Sequence, residues 1–566
     1  MAQAVVTSSE RGSGDGPALA FDRFYRYDEL TAFLEAWSTA RPDLVRLESI
    51  GRSWEGRELW LVALTNAATG PALEKPALLV EGNVHAVEWT GGVAALNVVQ
   101  RLAGEYGTDE RVTRLLDTRC VYVVPRLNPD GVEHALRGGR YIRSTVRPYP
   151  DREQGPGLRE GDVDGDGRFL FMRVRDPDGA FKLHPDEPRL LVPREPDEYG
   201  GDYYRLLPEG ELEGYDGATI AVAEPPEGID LGANFPGDRS KDAESPSPGP
   251  FPGSEPEISA YLAAVRARPN ITAYITCHTF GAITLRPPHN DEADVPLADE
   301  RTFRVIGDKA AELTGYRTMS YLDLKYDRRM IVRGSQSQWF YDHLGVHSWI
   351  TEFWSPMRAA GVDLGTQPGS LWLGGDHPVE DDLKLIRWSD EHTGGRAFVD
   401  WYPFEHPQLG RVELGGWDKI NYWYNAPFDV LEREVAPHTE WVIYHALASP
   451  RLELQRVETE RVDEHSYRVR AVVRNTGWLP TYVTQRALDR QLVGPVRVEL
   501  EGQPPRELGQ LEGRTAQRAS TTWWSYEPDT KDIAVAEWIV VGEPGQTITV
   551  TARHPRAGTA RLSVTL

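Results

Sequence analysis

The sequence predicts an α/β domain built on a mixed sheet, followed by an all-β sandwich of immunoglobulin-like type. Three observations carry this. From about residue 22 to residue 352, short apolar runs alternate with stretches whose apolar residues recur at helical spacing, the pattern of a sheet covered by helices. After about Pro450 the pattern changes to short alternating strands between polar turns, with no helical stretch among them: 452–457, 467–473, 496–500, 538–542, 547–551 and 561–565. A length of 566 residues also exceeds what one ordinary core holds. The expected division is a disordered 1–18, an α/β domain over 19–449 and a sandwich over 450–566.

Asp28 is expected to cap a helix whose Leu30, Phe33, Leu34 and Trp37 form an apolar stripe. A hairpin turning at Glu55-Gly56 follows. The apolar run Ala77–Val80 reads as a buried strand, Gly82-Asn83 breaks it, and Val93, Leu96, Val99 and Leu102 continue at helical spacing. Next come a helix from Asp109 to Leu116, a strand Val121–Val124 and the turn Asn128-Pro129-Asp130-Gly131. Residues 144–227 are Asp-, Gly- and Pro-rich, a long acidic insertion without a core of its own. Within it, Asp162, Asp164 and Asp166 alternate as at the start of a calcium loop, but Arg173 stands where such a loop needs a bidentate carboxylate, so Ca²⁺ competes with a plain Asp-Gly turn. The α/β pattern resumes with a helix Ile258–Val265, a strand Ile271–Cys277 ending in His278, a helix Arg301–Leu313 and a strand Val346–Thr351 ending in Glu352.

The net charge of -24 argues against a nucleic-acid partner bound through a basic face and against an anionic membrane surface. With Cys120 and Cys277 as the only cysteines, neither a disulfide framework nor a Cys-x-x-Cys metal site is available. The N-terminus shows no basic region followed by a long apolar segment, and no 18-residue apolar run occurs elsewhere, so a cytoplasmic location is expected.

His85-x-x-Glu88 falls at a strand-to-helix junction, where an α/β sheet binds its ligands, and an imidazole and a carboxylate three residues apart suit Zn²⁺. A capping or core histidine is the alternative. The same spacing at His184/Glu187, His289/Glu292 and His377/Glu380 lies in Pro-rich or acidic loops with no strand before it and reads as coincidence. His289, His343 and His347 read as structural or exposed.

Six ordered segments then resemble the zinc carboxypeptidase family, the carboxypeptidase A-like metallopeptidases. They are IleGlyArgSerTrpGluGlyArg, HisAlaValGluTrp, AsnProAspGly with Arg140 and Arg143 beyond it, GlyIleAspLeuGlyAlaAsnPhePro with CysHisThrPhe, and GlyValHisSerTrpIleThrGlu. The resemblance covers roughly residues 22 to 440. It implies one Zn²⁺ held by His85, Glu88 and His278, with Asp230 orienting the first histidine. It also implies Glu352 as general base and Arg143 as stabiliser of the developing oxyanion, with a peptide as substrate. Arg140, Asn234, Tyr326 and Ser337 are its further substrate-binding candidates.

The departures concern the substrate. Gly232-Ala233 stand where the family carries an Asn-Arg pair that clamps a free α-carboxylate, Val87 replaces an arginine, and Met330 aligns with a capping tyrosine for which Tyr326 could substitute. Three readings follow: a carboxypeptidase whose clamp is Arg286 or Arg333, a zinc amidase or endopeptidase on modified or cell-wall peptides, and a non-enzymatic zinc-binding protein.

Overall fold

A computed structural model describes residues 16–138, 141–148, 155–223, 228–237, 248–289, 294–324, 335–363, 377–516 and 530–566. The first domain is organised by an eight-stranded mixed sheet: β1 (Val45–Arg52), β2 (Glu58–Leu64), β3 (Ala77–Gly82), β4 (Cys120–Val124), β5 (Ile271–Thr279), β6 (Ile283–Arg286), β7 (Arg317–Ser320) and β8 (His347–Phe353). Their order is β1-β2-β4-β3-β5-β8-β6-β7. The middle strands β4, β3, β5 and β8 run parallel, so their carboxyl ends share one edge. The β1–β2 hairpin and β6 add the antiparallel pairs.

Both faces of this sheet are covered, which is why β3, β4 and β5 read as continuous apolar runs. The two-residue period of a strand divides them. Leu78 and Val80 point to one apolar core, shared with helices α1 (Tyr27–Ala40), α2 (Trp89–Glu105), α4 (Leu297–Thr314) and α6 (Phe428–Ala448). Ala77 and Leu79 point to the other, shared with α3 (Pro256–Arg266) and α5 (Gln336–Leu344). The apolar stripe of α1 is buried as expected, but Arg26, not Asp28, is its N-cap. α6 was not anticipated; Pro437 lies inside it, where a sequence reading expects a break.

The 144–227 stretch differs more from expectation. Its segments Phe171–Arg175, Phe181–Leu183, Leu191–Pro193 and Tyr204–Pro208 join Phe398–His406 and Gly410–Trp417 in a six-stranded sheet. Leu158, Met172, Leu207, Leu212, Val412 and Leu414 form a small core beneath it. Val412 and Leu414 come from far downstream and the other four residues are spread over 158–212, so no local periodicity betrays this core.

Residues 452–565 form two antiparallel sheets, 452–461/466–475/533–541 and 506–507/497–500/547–554/558–565, with Val469, Val498, Trp538 and Val550 between them. A short helix, Gln485–Asp489, interrupts what was read as strands only. This C-terminal unit docks where β3 and β8 begin. Arg556 donates to the carbonyls of Gly345 and Tyr482 at 3.0 and 3.1 Å and to that of Leu344, and Arg553 and Arg561 pair with Glu74. The amides of Gln485 and Arg486 donate to Asp299. The docking edge is therefore opposite the carboxyl ends of the parallel strands. Trp523 and Trp524, which the sequence offers as a pair of half-buried strand aromatics or, less simply, as a carbohydrate or protein contact, lie outside the described residues. Among the described residues no helix is long and apolar enough to cross a membrane.

Candidate metal centre

The chain leaves β3 through Asn83, whose φ of 54° turns it sharply and whose side-chain amide holds the Glu88 carbonyl at 2.6 Å. That turn sets His85 over the carboxyl edge and makes Glu88 the N-cap of α2. Gly91 lets α2 approach β5: a Cβ there would overlap the Cys277 carbonyl, immediately before His278. His278 is the eighth residue of β5, and Glu352 stands opposite it on β8 in parallel register.

Three ligand atoms converge. His85 Nδ1 lies 2.8 Å from Glu88 Oε1 and 3.1 Å from His278 Nδ1, and His278 Nδ1 lies 3.0 Å from Glu88 Oε2. Two ring nitrogens that face each other across a carboxylate have no better partner than a shared cation, and this N,N,O donor set is one that zinc accepts. The far nitrogen of His85, Nε2, is 3.0 Å from Asp230 Oδ1, which fixes the ring so that Nδ1 faces the other ligands. Asp230 is itself held by the Gly232 amide at 2.8 Å. A Cβ on Gly232 would lie 3.2 Å from both His85 Nε2 and Asp230 Oδ1, so a side chain there would press on this pair.

Burial and Arg143 both oppose a proton on His85, yet Glu88 and Asp230 outweigh them and carry its pKa up to about 9. Burial also works against the charges of Glu88 and Asp230, but the neighbouring histidines hold both carboxyls well below the usual range. Glu352 behaves oppositely: burial, with the nearby charge of Glu88, pushes it up to about 8 in spite of His278.

Arg143 is placed by two of the segments that carry the resemblance. Asp130 ties the AsnProAspGly turn to the hairpin, accepting from Ser53 Oγ, the Glu55 amide and Arg57 at 2.7, 2.7 and 2.6 Å. Asn128 Nδ2 then holds the Ser144 carbonyl at 2.7 Å, and the Arg143 carbonyl accepts from the Ala86 amide at 2.9 Å. The guanidinium lies 3.1 Å from Glu88 Oε1 and 3.7 Å from Asp230 Oδ2, with its side chain 44% exposed.

The remaining candidates fare differently. Asn234 is fully buried and spends its side chain on Pro248 O, Phe251 O, Ser254 and the Glu255 amide, so the substrate-binding expectation for it is corrected: it is a loop tie. Ser337 is also fully buried, with its hydroxyl 3.2 Å from that of Ser348. Arg286, offered as a replacement clamp, is held by Glu300 of α4 at 2.6 Å. Arg140, Tyr326, Met330 and Arg333 lie outside the described residues. His289 and His347 are buried and His343 is exposed. Asp162, Asp164 and Asp166 converge into a group that could hold a metal, and the amides of Gly165, Asp166, Gly167 and Arg168 donate to four of their oxygens, as in an Asp-Gly turn.

The sequence reading missed Glu81. It is fully buried on β3 and accepts from Tyr274 Oη and Thr276 Oγ1 at 2.9 Å and from Gln336 Nε2 at 2.5 Å. Burial raises its pKa. Its signal was a lone carboxylate in the apolar run of β3. Tyr321 was missed as well: its ring stacks on His289 with centroids 4.7 Å apart, and its surroundings include the charges of Glu352, Arg143 and Asp230.

The model of the zinc carboxypeptidase family matches residues 30–361, and one described as a domain of unknown function matches 451–565. The chain is 31% identical over 137 residues to a zinc carboxypeptidase of Saccharothrix mutabilis subsp. capreolus, a match covering 24% of this chain and 31% of that protein. It is 37% identical over 139 residues to carboxypeptidase D of Homo sapiens, covering 21% of this chain and 10% of that protein. The chain thus spans less than a third of the length of these curated relatives. Among solved structures, the carboxypeptidase A from Helicoverpa armigera is similar with a TM-score of 0.40 at 17% identity, over 66% of this chain and 76% of that one. With a family model matching more than half of its 566 residues, the chain belongs to the zinc carboxypeptidase family.

Proposed function

We propose that the chain is a zinc-dependent peptidase that hydrolyses peptide bonds as a metallocarboxypeptidase, with His85, Glu88 and His278 as ligands, Asp230 as their orienting acid, Glu352 as general base and Arg143 as oxyanion stabiliser. The observation that carries this reading is the convergence of the three ligand atoms within 4.8 Å, one strand away from Glu352 at the same level of the sheet. A zinc ion held there supplies a Lewis acid strong enough to make water lose a proton near neutral pH. Glu352 takes that proton and hands it to the leaving nitrogen; a carboxyl that burial makes basic suits both halves of the task. Arg143, fixed through Asp130 and Asn128, presents a permanent cation where charge builds on the carbonyl oxygen. A candidate base and an oxyanion donor beside the ligands favour an enzyme over a passive zinc-binding protein.

A second reading, an amidase or endopeptidase on modified or cell-wall peptides, is favoured by a specific observation. Gly232 and Ala233 offer no side-chain donor, Asn234 is spent on loop carbonyls and Arg286 is held by Glu300, so none of these clamps a substrate carboxylate. Turnover of one peptide as the free acid and as its C-terminal amide separates the two. A large preference for the acid supports the carboxypeptidase, and comparable rates support the amidase.

For the C-terminal unit we infer an immunoglobulin-like sandwich forming one domain over 450–566, a reading supported by its two antiparallel sheets around a common core.

A further inference from the structure

The seam between the two units holds a group of arginines that the chain itself does not neutralise. Where the helix Glu110–Thr118 and the end of α6 meet the start of the C-terminal unit, Arg114, Arg119, Arg451, Glu453 and Arg514 line a cavity of about 210 Å³. Four guanidiniums thus face one carboxylate, an excess of three positive charges in a chain whose net charge is -24. Arg451 takes that carboxylate, at 3.0 Å. Among the described residues Arg114, Arg119 and Arg514 form no ion pair.

Arg119 shows most clearly that a charge is missing. It is 4% exposed, and its hydrogen bonds go to neutral oxygens: Ser449 Oγ at 2.5 Å, Ser449 O at 3.0 Å and Thr118 O at 3.1 Å. These bonds use three of the five N–H groups of a guanidinium. Burial, with the like charges of Arg451 and Arg114, brings its pKa down to about 9, so it stays charged at neutral pH. A buried charge is ordinarily paired. Elsewhere along the seam the chain supplies that partner itself, since Arg553 and Arg561 share Glu74.

We propose that this cavity binds a polyvalent oxyanion of phosphate type, held by Arg114 and Arg119 of the first domain and by Arg451 and Arg514 of the C-terminal unit. Planar guanidiniums match the edges of a tetrahedral oxyanion with paired N–H donors, and a dianion supplies the charge that the cavity lacks. The volume suits it, being many times the ~10–15 Å³ that a single water needs. Arg119 is buried, Arg451 half-buried, and Arg114 and Arg514 exposed, so the cavity is reached from solvent. Because the arginines come from both units, the anion ties the units together, and without it their mutual repulsion opposes docking. The site adjoins the first residue of β4, at the end of the sheet away from His85 and Glu88, and does not depend on the peptidase reading.

The test uses the full chain loaded with zinc, at constant ionic strength, with inorganic phosphate, glycerol phosphate and acetate as titrants in calorimetry and thermal unfolding. Phosphate is expected to fill one site per chain and to raise Tm, and acetate to do neither. Arg114→Gln combined with Arg514→Gln, both at exposed positions, should weaken phosphate binding about tenfold or more and remove most of the rise in Tm. Arg304→Gln combined with Arg468→Gln removes the same charge from exposed positions elsewhere and should change neither. Glycerol phosphate binding as tightly as inorganic phosphate supports the site with a carried phosphate group as its ligand, and binding of inorganic phosphate alone supports it with the free ion. No saturable binding of either phosphate by the parent chain overturns the site. Equal binding by the two double variants also overturns it, since the anion would then sit at the zinc or on diffuse surface charge.

Discussion

His278 and Glu352 are direct partners across the parallel strands β5 and β8. Residues paired in this way project to the same face of a sheet, so the proposed zinc ligand and the group proposed to move protons leave the carboxyl edge side by side. Neither depends on loop conformation for its level. His85, Glu88 and Arg143 come from loops, and each of those loops is tied down by a buried Asn or Asp.

Zinc binding is expected to release protons. Without metal, His85 is raised to about 9 and Glu352 to about 8, so both carry a proton at pH 7. A dication requires the first to be neutral and favours the second as an anion, so affinity rises with pH up to about 9, by as much as about two log units per pH unit. Calorimetry in buffers of different ionisation enthalpy counts the protons. His278→Ala should lose most of the metal, while His289→Ala, at a ring stacked on Tyr321, should not.

Gly232→Ala is expected to weaken zinc binding. Its Cβ would press on His85 Nε2 and Asp230 Oδ1 at 3.2 Å, tighter than ordinary contacts, and move the ring that presents Nδ1. A roughly tenfold or greater loss in a chelator competition is expected, and unchanged affinity would show that the loop yields. Rebuilding an Asn-Arg clamp at Gly232-Ala233 meets the same obstacle.

Much of the site was legible because its residues occur in short, ordered segments: His85 and Glu88 are three apart, and His278 and Glu352 end recognisable strands. What stayed hidden depends on distant pairing. Nothing near Asn234 shows that its side chain is spent on residues 248–255, and nothing near Arg286 points to Glu300. The sheet within 155–223 takes its outer strands from 398–417, where Glu413 pairs with Arg173.

Glu257 sets a pH-dependent term in stability. It is buried on α3, accepts from the Trp54 amide at 2.8 Å and is pushed by burial up to about 7. A raised carboxyl pKa favours folding below its unfolded value near 4.5 and loses that advantage as pH rises through 7. Glu257→Gln keeps an acceptor for Trp54, so it should match the parent near pH 4.5 and exceed it by up to about 3 kcal/mol at pH 8. Equal stability at both pH values would contradict this.

Arg556 should matter more to stability than the other arginines of the domain junction. It is buried, burial lowers its pKa to about 10, and its partners are the carbonyls of Leu344 and Gly345 at the end of α5 and that of Tyr482 in its own unit. Arg556→Gln leaves those carbonyls short of donors, at a cost of about 2–4 kcal/mol. Arg561→Gln, at a partly exposed pair with Glu74, should cost under about 1 kcal/mol. Thermal unfolding of the two variants decides; the reverse ranking would mean that the surface pair holds the domains.

The most direct measurement is zinc content together with peptide hydrolysis for the parent chain and Glu352→Gln. Removing the general base should leave one zinc per chain, since Glu352 is not among the converging ligand atoms, while kcat falls about 10²–10⁴-fold. Retained hydrolysis would place the base elsewhere, and loss of the metal along with the activity would contradict the separation between the ligands His85, Glu88 and His278 and the base Glu352.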